Sequence, residues 1–137
     1  SFLSLQDVNE KEIIPGYFAR FVHTGNMTMA YWTIKAGARM PEHSHPHEQV
    51  ANLIEGEFEL TVAGESRVVK PGDIAVIAPN TLHSGRAVTD CRIIDAFHPV
   101  REDIAELADS ELSSAASLAV SATLTLSESC APAGRMV

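Results

Sequence analysis

Hydrophobic and polar residues alternate with a period of two along most of the first hundred positions, and turn-forming residues interrupt the alternation about every ten residues. The pattern is clearest at Phe58, Leu60 and Val62 against Glu57, Glu59 and Thr61, the mark of a strand with one buried face. Comparable segments predict strands over residues 17–23, 27–35, 49–54, 57–62, 66–70, 73–77, 84–88 and 91–97. Turns are predicted at Thr24-Gly25-Asn26, Glu55-Gly56, Ala63-Gly64-Glu65 and Lys70-Pro71-Gly72. Short strands at this spacing predict an all-β antiparallel sandwich or barrel.

Beyond Pro99 the period changes. Ile104, Leu107, Ala108 and Leu112 recur at three and four, behind Glu102, Asp103 and Glu106, which suits a helix with an acidic first turn. After Ser110 the chain is rich in Ser and Ala with little charge. Two readings stand for it, a flexible tail or an added edge strand over residues 119–126, and the tail is the expectation. The division expected is a barrel over residues 1–107 and a tail over residues 108–137.

Composition narrows the classes. A chain of 137 residues, 45% hydrophobic, is enough for one core. Ten basic residues against eighteen acidic ones give a net charge of −8, and no Lys/Arg cluster tracks a phosphate backbone, so nucleic acid is not an expected partner. Cys91 and Cys130 are far apart and outside any Cys-x-x-Cys spacing, which argues against a disulfide framework or a thiolate metal site. The first seven residues lack a basic or long apolar segment, and residues 115–126 are too short and serine-rich to span a bilayer. A cytoplasmic location with no membrane contact is expected.

The chemistry concentrates in Gly37-Ala-Arg-Met-Pro-Glu-His43-Ser-His45-Pro-His47-Glu48-Gln49. Alternate residues of an extended strand share a face, so His43 and His45 are expected to point together, with Gln49 returning to that face as the next strand begins. Two neutral imidazoles and an amide oxygen suit one divalent first-row ion such as Mn, Fe, Ni or Zn. Glu48, one residue out of step, should face away. His23, His47 and His98 read individually as surface or hydrogen-bonded histidines, with a rim role open to His47.

Gly37, His43-x-His45, Gln49 and Gly56 resemble the first motif of the cupin superfamily, with Gln49 where a glutamate usually stands. Pro71-Gly72-Asp73 through Pro79-Asn80-Thr81-Leu82-His83 resembles the second, although Ala78 and Ala87 depart from it. The resemblance implies a double-stranded β-helix, or jelly-roll barrel, with His83 as fourth ligand, and often a homodimer. The histidine run, the Pro79-Asn80 segment and Asp95-Ala-Phe97-His-Pro99-Val-Arg101-Glu102-Asp103 look like the small single-domain cupins associated with pectin degradation.

Asp95 stands in phase with Cys91, Ile93 and Phe97, where an unpaired charge is costly. It reads either as a strand-end carboxylate paired with Arg92 or Arg101, or as an acid/base group tuned by a cavity. Phe97 reads as a cavity wall or a core aromatic. Arg101 reads as a surface cation or a planar fork for a substrate carboxylate. The resemblance favours the site roles for all three. It implies an isomerase-type enzyme converting 4,5-unsaturated uronate monosaccharides, small acidic sugars, to linear 4-deoxy-5-keto uronates. A cupin dioxygenase, a polyketide cyclase and a non-catalytic metal- or sugar-binding module are the alternatives. Arg20, Arg39, Tyr31 and Trp32 receive no chemistry, one of the last two being expected to pack inside.

Overall fold

The computed structural model describes residues 1–103. The helix expected over residues 102–112, the Ser/Ala-rich tail and the domain boundary at residue 107 fall wholly or largely outside them. Among the described residues ten strands follow a short 3-10 turn at Leu5–Asp7: β1 (Lys11–Ile14), β2 (Tyr17–His23), β3 (Thr28–Ile34), β4 (Arg39–His43), β5 (Glu48–Glu55), β6 (Phe58–Val62), β7 (Glu65–Val69), β8 (Ile74–Ile77), β9 (His83–Ala87) and β10 (Cys91–His98). Every pairing is antiparallel. A six-stranded sheet runs β1-β2-β3-β10-β5-β8 and a four-stranded sheet runs β4-β9-β6-β7. This is the expected all-β jelly roll.

The eight strands predicted from alternation are all present, with ends shifted by a residue or two. Two further strands, β1 and β4, escape that reading. Neither shows a clean alternation of buried and exposed positions, and Pro41 interrupts β4. Proline is tolerated there because β4 lies at a sheet edge, where one side of the strand needs no ladder donor. A register shift between Met40 and His43 also breaks the period of two.

The core lies between the sheets. Along β3, Thr28, Ala30, Trp32 and Ile34 face inward, and along β10, Cys91, Ile93, Asp95 and Phe97 do so. Register sets these rows side by side, Ile93 opposite Trp32, Asp95 opposite Ala30 and Phe97 opposite Thr28. On the other flank of β10, Asp95 faces Ala51 and Phe97 faces Gln49. Asp95 thus stands between two alanines, which leaves room in front of its carboxylate, whereas the rows nearer Cys91 are filled by Trp32, Leu53 and Ile93.

Two glycines are required by what surrounds them. At Gly56, φ is +89° and an added Cβ would come within 2.1 Å of the Asp90 carbonyl. At Gly85, a Cβ would meet the Phe58 ring at 2.3 Å, so β9 can lie over that ring only without a side chain. No helix among the described residues is long and apolar enough to cross a membrane.

Candidate metal centre and cavity

His43 closes β4 in the four-stranded sheet, and Gln49 is the second residue of β5 in the six-stranded sheet. Residues 44–47, the loop carrying His45, cross from one sheet to the other. The shared strand face expected for His43 and His45 is therefore not what brings them together. A crossing loop does so, and its shape is held by the second motif: the Asn80 N–H donates to the His45 carbonyl at 2.7 Å. Asn80 reaches that carbonyl with φ of 62°, a left-handed conformation asparagine adopts more readily than most residues. Three residues later His83 opens β9, directly opposite His43 in the register.

The three imidazoles are buried, and their ligating nitrogens lie within 4.8 Å of one another. Each Nδ1 faces a backbone carbonyl two residues away: His43 to Pro41 at 2.8 Å, His45 to His47 at 3.1 Å and His83 to Thr81 at 2.8 Å. A carbonyl can only accept, so each Nδ1 carries the proton and each Nε2 presents a lone pair. Outer partners of this kind orient metal-binding histidines. Burial, then the mutual repulsion of the rings and Arg101, keeps His43 and His45 from protonating, with their pKa values well below the ordinary histidine value. Burial likewise brings His83 down to about 4. These are imidazoles ready to ligate at neutral pH.

One contact makes the case for a cation. His45 Nε2 lies 3.2 Å from Gln49 Oε1, and with the proton on Nδ1 both atoms are acceptors. Two lone pairs facing each other in a buried site repel unless a positive charge lies between them. His83 Nε2 is buried there with no hydrogen-bond partner among the described residues. The donor set, three imidazole nitrogens and one amide oxygen, fits a divalent first-row ion and contains nothing anionic. Glu48 faces outward, as strand parity requires.

The large sheet supplies the rest of the site. Asp95 is 6% exposed, and its Oδ2 accepts the Trp32 indole N–H at 2.9 Å while Oδ1 has no hydrogen-bond partner among the described residues. Neither expected ion pair forms. Arg92 lies beside Glu55 at 4.0 Å, and Arg101 pairs with Asp103. Burial therefore dominates and raises the Asp95 pKa to about 7, against the pull of the nearby Gln49 amide, the Trp32 N–H and the Arg101 charge. Arg101, only 3% exposed, is not a surface cation. It gives Nε and Nη2 to the Asp103 carboxylate at 3.1 and 2.8 Å, lies 4.7 Å over the Phe97 ring and anchors its backbone N–H on Thr28 Oγ1. Phe97 in turn meets the His45 ring edge-on at 5.6 Å.

A cavity of about 130 Å³ joins these groups, with His43, His45, Gln49, His83, Asp95, Phe97 and Arg101 all on its wall. The remaining wall is mostly aliphatic and aromatic, including Ile34, Leu53, Phe58 and Ile93. His47 is half-buried beside the His45 ring, where burial and Arg101 lower its pKa to about 4. Arg20 is not part of the cavity wall, and it donates to the Val8 carbonyl. Trp32, expected at most as a core residue, and Asp103, expected only as part of an acidic helix start, turn out to be the partners of Asp95 and Arg101. Apolar alternation marks Trp32 only as a core residue, and nothing in the linear order joins it to a carboxylate sixty-three positions away.

Residues 30–97 match the cupin-domain family. The pectin degradation protein KdgF of Dickeya dadantii is 35% identical over 69 residues, a match spanning 49% of this chain and 63% of that protein's length. The solved structure of KdgF from Halomonas sp. superposes with a TM-score of 0.72 at 30% identity, covering 76% of this chain and 97% of that one. An RmlC-like cupin from Shewanella frigidimarina gives 0.72 at 28% identity, over 75% of this chain and 94% of the other. A variant of the oxalate decarboxylase of Bacillus subtilis, at 23% identity and 0.63, shares the fold over 29% of its own length. With the barrel, both histidine motifs and near-complete coverage of a solved relative in agreement, this chain belongs to the cupin superfamily.

Proposed function

We propose that this protein is a metal-dependent enzyme that opens 4,5-unsaturated uronate monosaccharides, of the kind polysaccharide lyases release from pectin and alginate, to linear 4-deoxy-5-keto uronates. His43, His45, Gln49 and His83 hold one divalent ion. Bound there, the ion supplies Lewis-acid polarisation of substrate oxygens. The reaction removes the proton of the anomeric hydroxyl, breaks the C1–O5 bond and adds a proton at C4. Aldehyde and ketone form with no oxidant consumed.

Asp95 is the proton-transfer group, acting through Oδ1, because Oδ2 is held by Trp32. Arg101 orients the substrate carboxylate through Nη1, its other two nitrogens being engaged by Asp103. Phe97 keeps Arg101 and His45 in place and presents an apolar edge to the sugar. What supports this reading most is that the unpaired Asp95 oxygen, the Arg101 guanidinium and the three imidazoles line one small cavity.

The test is optical. The conjugated enol ether and carboxylate absorb in the ultraviolet, and ketonisation removes the conjugation. Metal-loaded protein should accelerate the loss of absorbance on unsaturated uronates from pectin and alginate lyases, without oxygen uptake and with a linear keto product by NMR. Absence of acceleration at full metal occupancy would overturn the reading, and oxygen uptake would move it to the dioxygenases.

A further inference from the structure

Tyr17 opens β2 with its ring inside the barrel, 3% exposed, and its hydroxyl has no hydrogen-bond partner among the described residues. It lines the same cavity as the imidazoles and Asp95. Its ring meets Trp32 edge-on at 5.8 Å, and Trp32 donates to Asp95, so phenol, indole and carboxylate form one chain of contacts along the wall. Burial, then the charges of Cys91 and Asp95, pushes its ionisation far above neutrality, so the group stays an O–H donor. Ile14 and Ile34 stand opposite Tyr17 in the register of the neighbouring strands and line the cavity with it, together with Leu53 and Ile93. None of these can satisfy a phenol, and none can satisfy a sugar hydroxyl. An unsatisfied buried hydroxyl destabilises the site, and a ligand oxygen that meets it recovers that cost.

We propose that Tyr17 is a specificity-determining residue whose hydroxyl hydrogen-bonds a ring hydroxyl of the substrate, while the aliphatic wall around it discriminates against more fully hydroxylated sugars. The inference rests on the uronate reading and deepens it. A 4,5-unsaturated uronate has lost its C4 hydroxyl and offers two flat carbons to an apolar wall. A saturated hexuronate would press that extra hydroxyl against side chains with no polar atoms, where it loses its water without a replacement.

Tyr17→Phe keeps the ring and its contact with Trp32 and removes only the hydroxyl. With metal content equal to wild type, KM for the unsaturated uronate from pectin should rise roughly tenfold while kcat stays within about twofold, the pattern of a lost binding contact. Galacturonate should compete at least about tenfold more weakly than that substrate binds. An unchanged KM in Tyr17→Phe, or galacturonate competing as tightly as the substrate binds, would overturn the inference while leaving the enzyme reading intact. Analogues of the substrate lacking one ring hydroxyl, measured on the wild type, repeat the test without any substitution. One of them should show the same rise in KM, and no rise with any overturns the inference. If wild type neither binds nor turns over any unsaturated uronate, the functional reading fails and this inference fails with it.

Discussion

The two sheets bring different chemistry to the same cavity. From the four-stranded sheet and the loop leaving it come the nitrogen donors, His43, His83 and His45, each fixed by a carbonyl two residues away. From the six-stranded sheet come Gln49, Asp95, Phe97 and the wall of Trp32, Leu53 and Ile93, and the indole that holds Asp95 lies sixty-three positions away in the chain. Locally wired histidines can be set by a short motif. A carboxylate whose acidity depends on burial and on a distant indole can be set only by the assembled barrel. Metal binding and proton transfer should therefore be separable by mutation, with loss of the histidines abolishing occupancy and turnover together and loss of the Asp95 carboxylate lowering turnover with the ion in place.

The strongest break of that division is loss of the ion. His43→Ala combined with His83→Ala should reduce metal content from close to one ion per chain to near zero, measured by elemental analysis, and turnover should fall with it. Full occupancy in that double variant would show that the histidines do not ligate. Gln49→Ala removes only the neutral oxygen and should leave partial occupancy, while Glu48→Ala, on the outward face, should leave it unchanged.

On the other sheet, Asp95→Asn keeps shape and hydrogen-bonding capacity but loses the titrating proton. It should retain the ion and lower kcat by roughly two to four orders of magnitude. Wild-type turnover in this variant would remove Asp95 from the chemistry. Trp32→Phe is the finer probe. It leaves Oδ2 of Asp95 without its indole donor, which should reduce kcat roughly tenfold and move the pH profile upward, because the lost hydrogen bond favoured the ionised form. A profile that stays in place would show that the indole is only packing.

The smallest effect expected is on the stability of the metal-free protein. His83 remains neutral in the fold down to about 4, whereas in the unfolded chain it takes up a proton near 6.5. Folding therefore loses stability as pH falls through that window, and His43, His45 and His47, also lowered, act in the same direction. Asp95 acts oppositely: raised from 3.8 to about 7, its contribution is full below 3.8 and is lost as pH rises through 7. With four histidines against one carboxyl, the melting temperature measured in a chelator should drop between pH 7 and pH 5. A rise over that interval would mean that the rings are not buried in the neutral form.

Much of the barrel could be read from the chain. Period-two alternation, as at Phe58, Leu60 and Val62, needs only one buried and one exposed face, so eight strands and the turns between them were visible without knowledge of their partners. The strands β1 and β4 were hidden because neither buries alternate positions, and Pro41 with the register shift between Met40 and His43 breaks the period in β4. The site divides in the same way. The spacing of His43 and His45 and the resemblance carried by Pro79-Asn80 and His83 were legible, since each histidine is held by its own neighbours. Parity also put Asp95 on the inner face. It could not say whether the carboxylate would meet Arg92, Arg101 or neither, because strand order decides that: β10 pairs with β3 and β5, which puts Trp32 within reach and alanines on either side. Residue order was enough to tell which side chains could bind an ion and which face each strand would bury. Only the closed barrel shows which polar atoms lose water without gaining a partner among the described residues, Asp95 Oδ1, His83 Nε2 and the Tyr17 hydroxyl, because desolvation depends on all the strands that close around an atom and not on its neighbours in the chain.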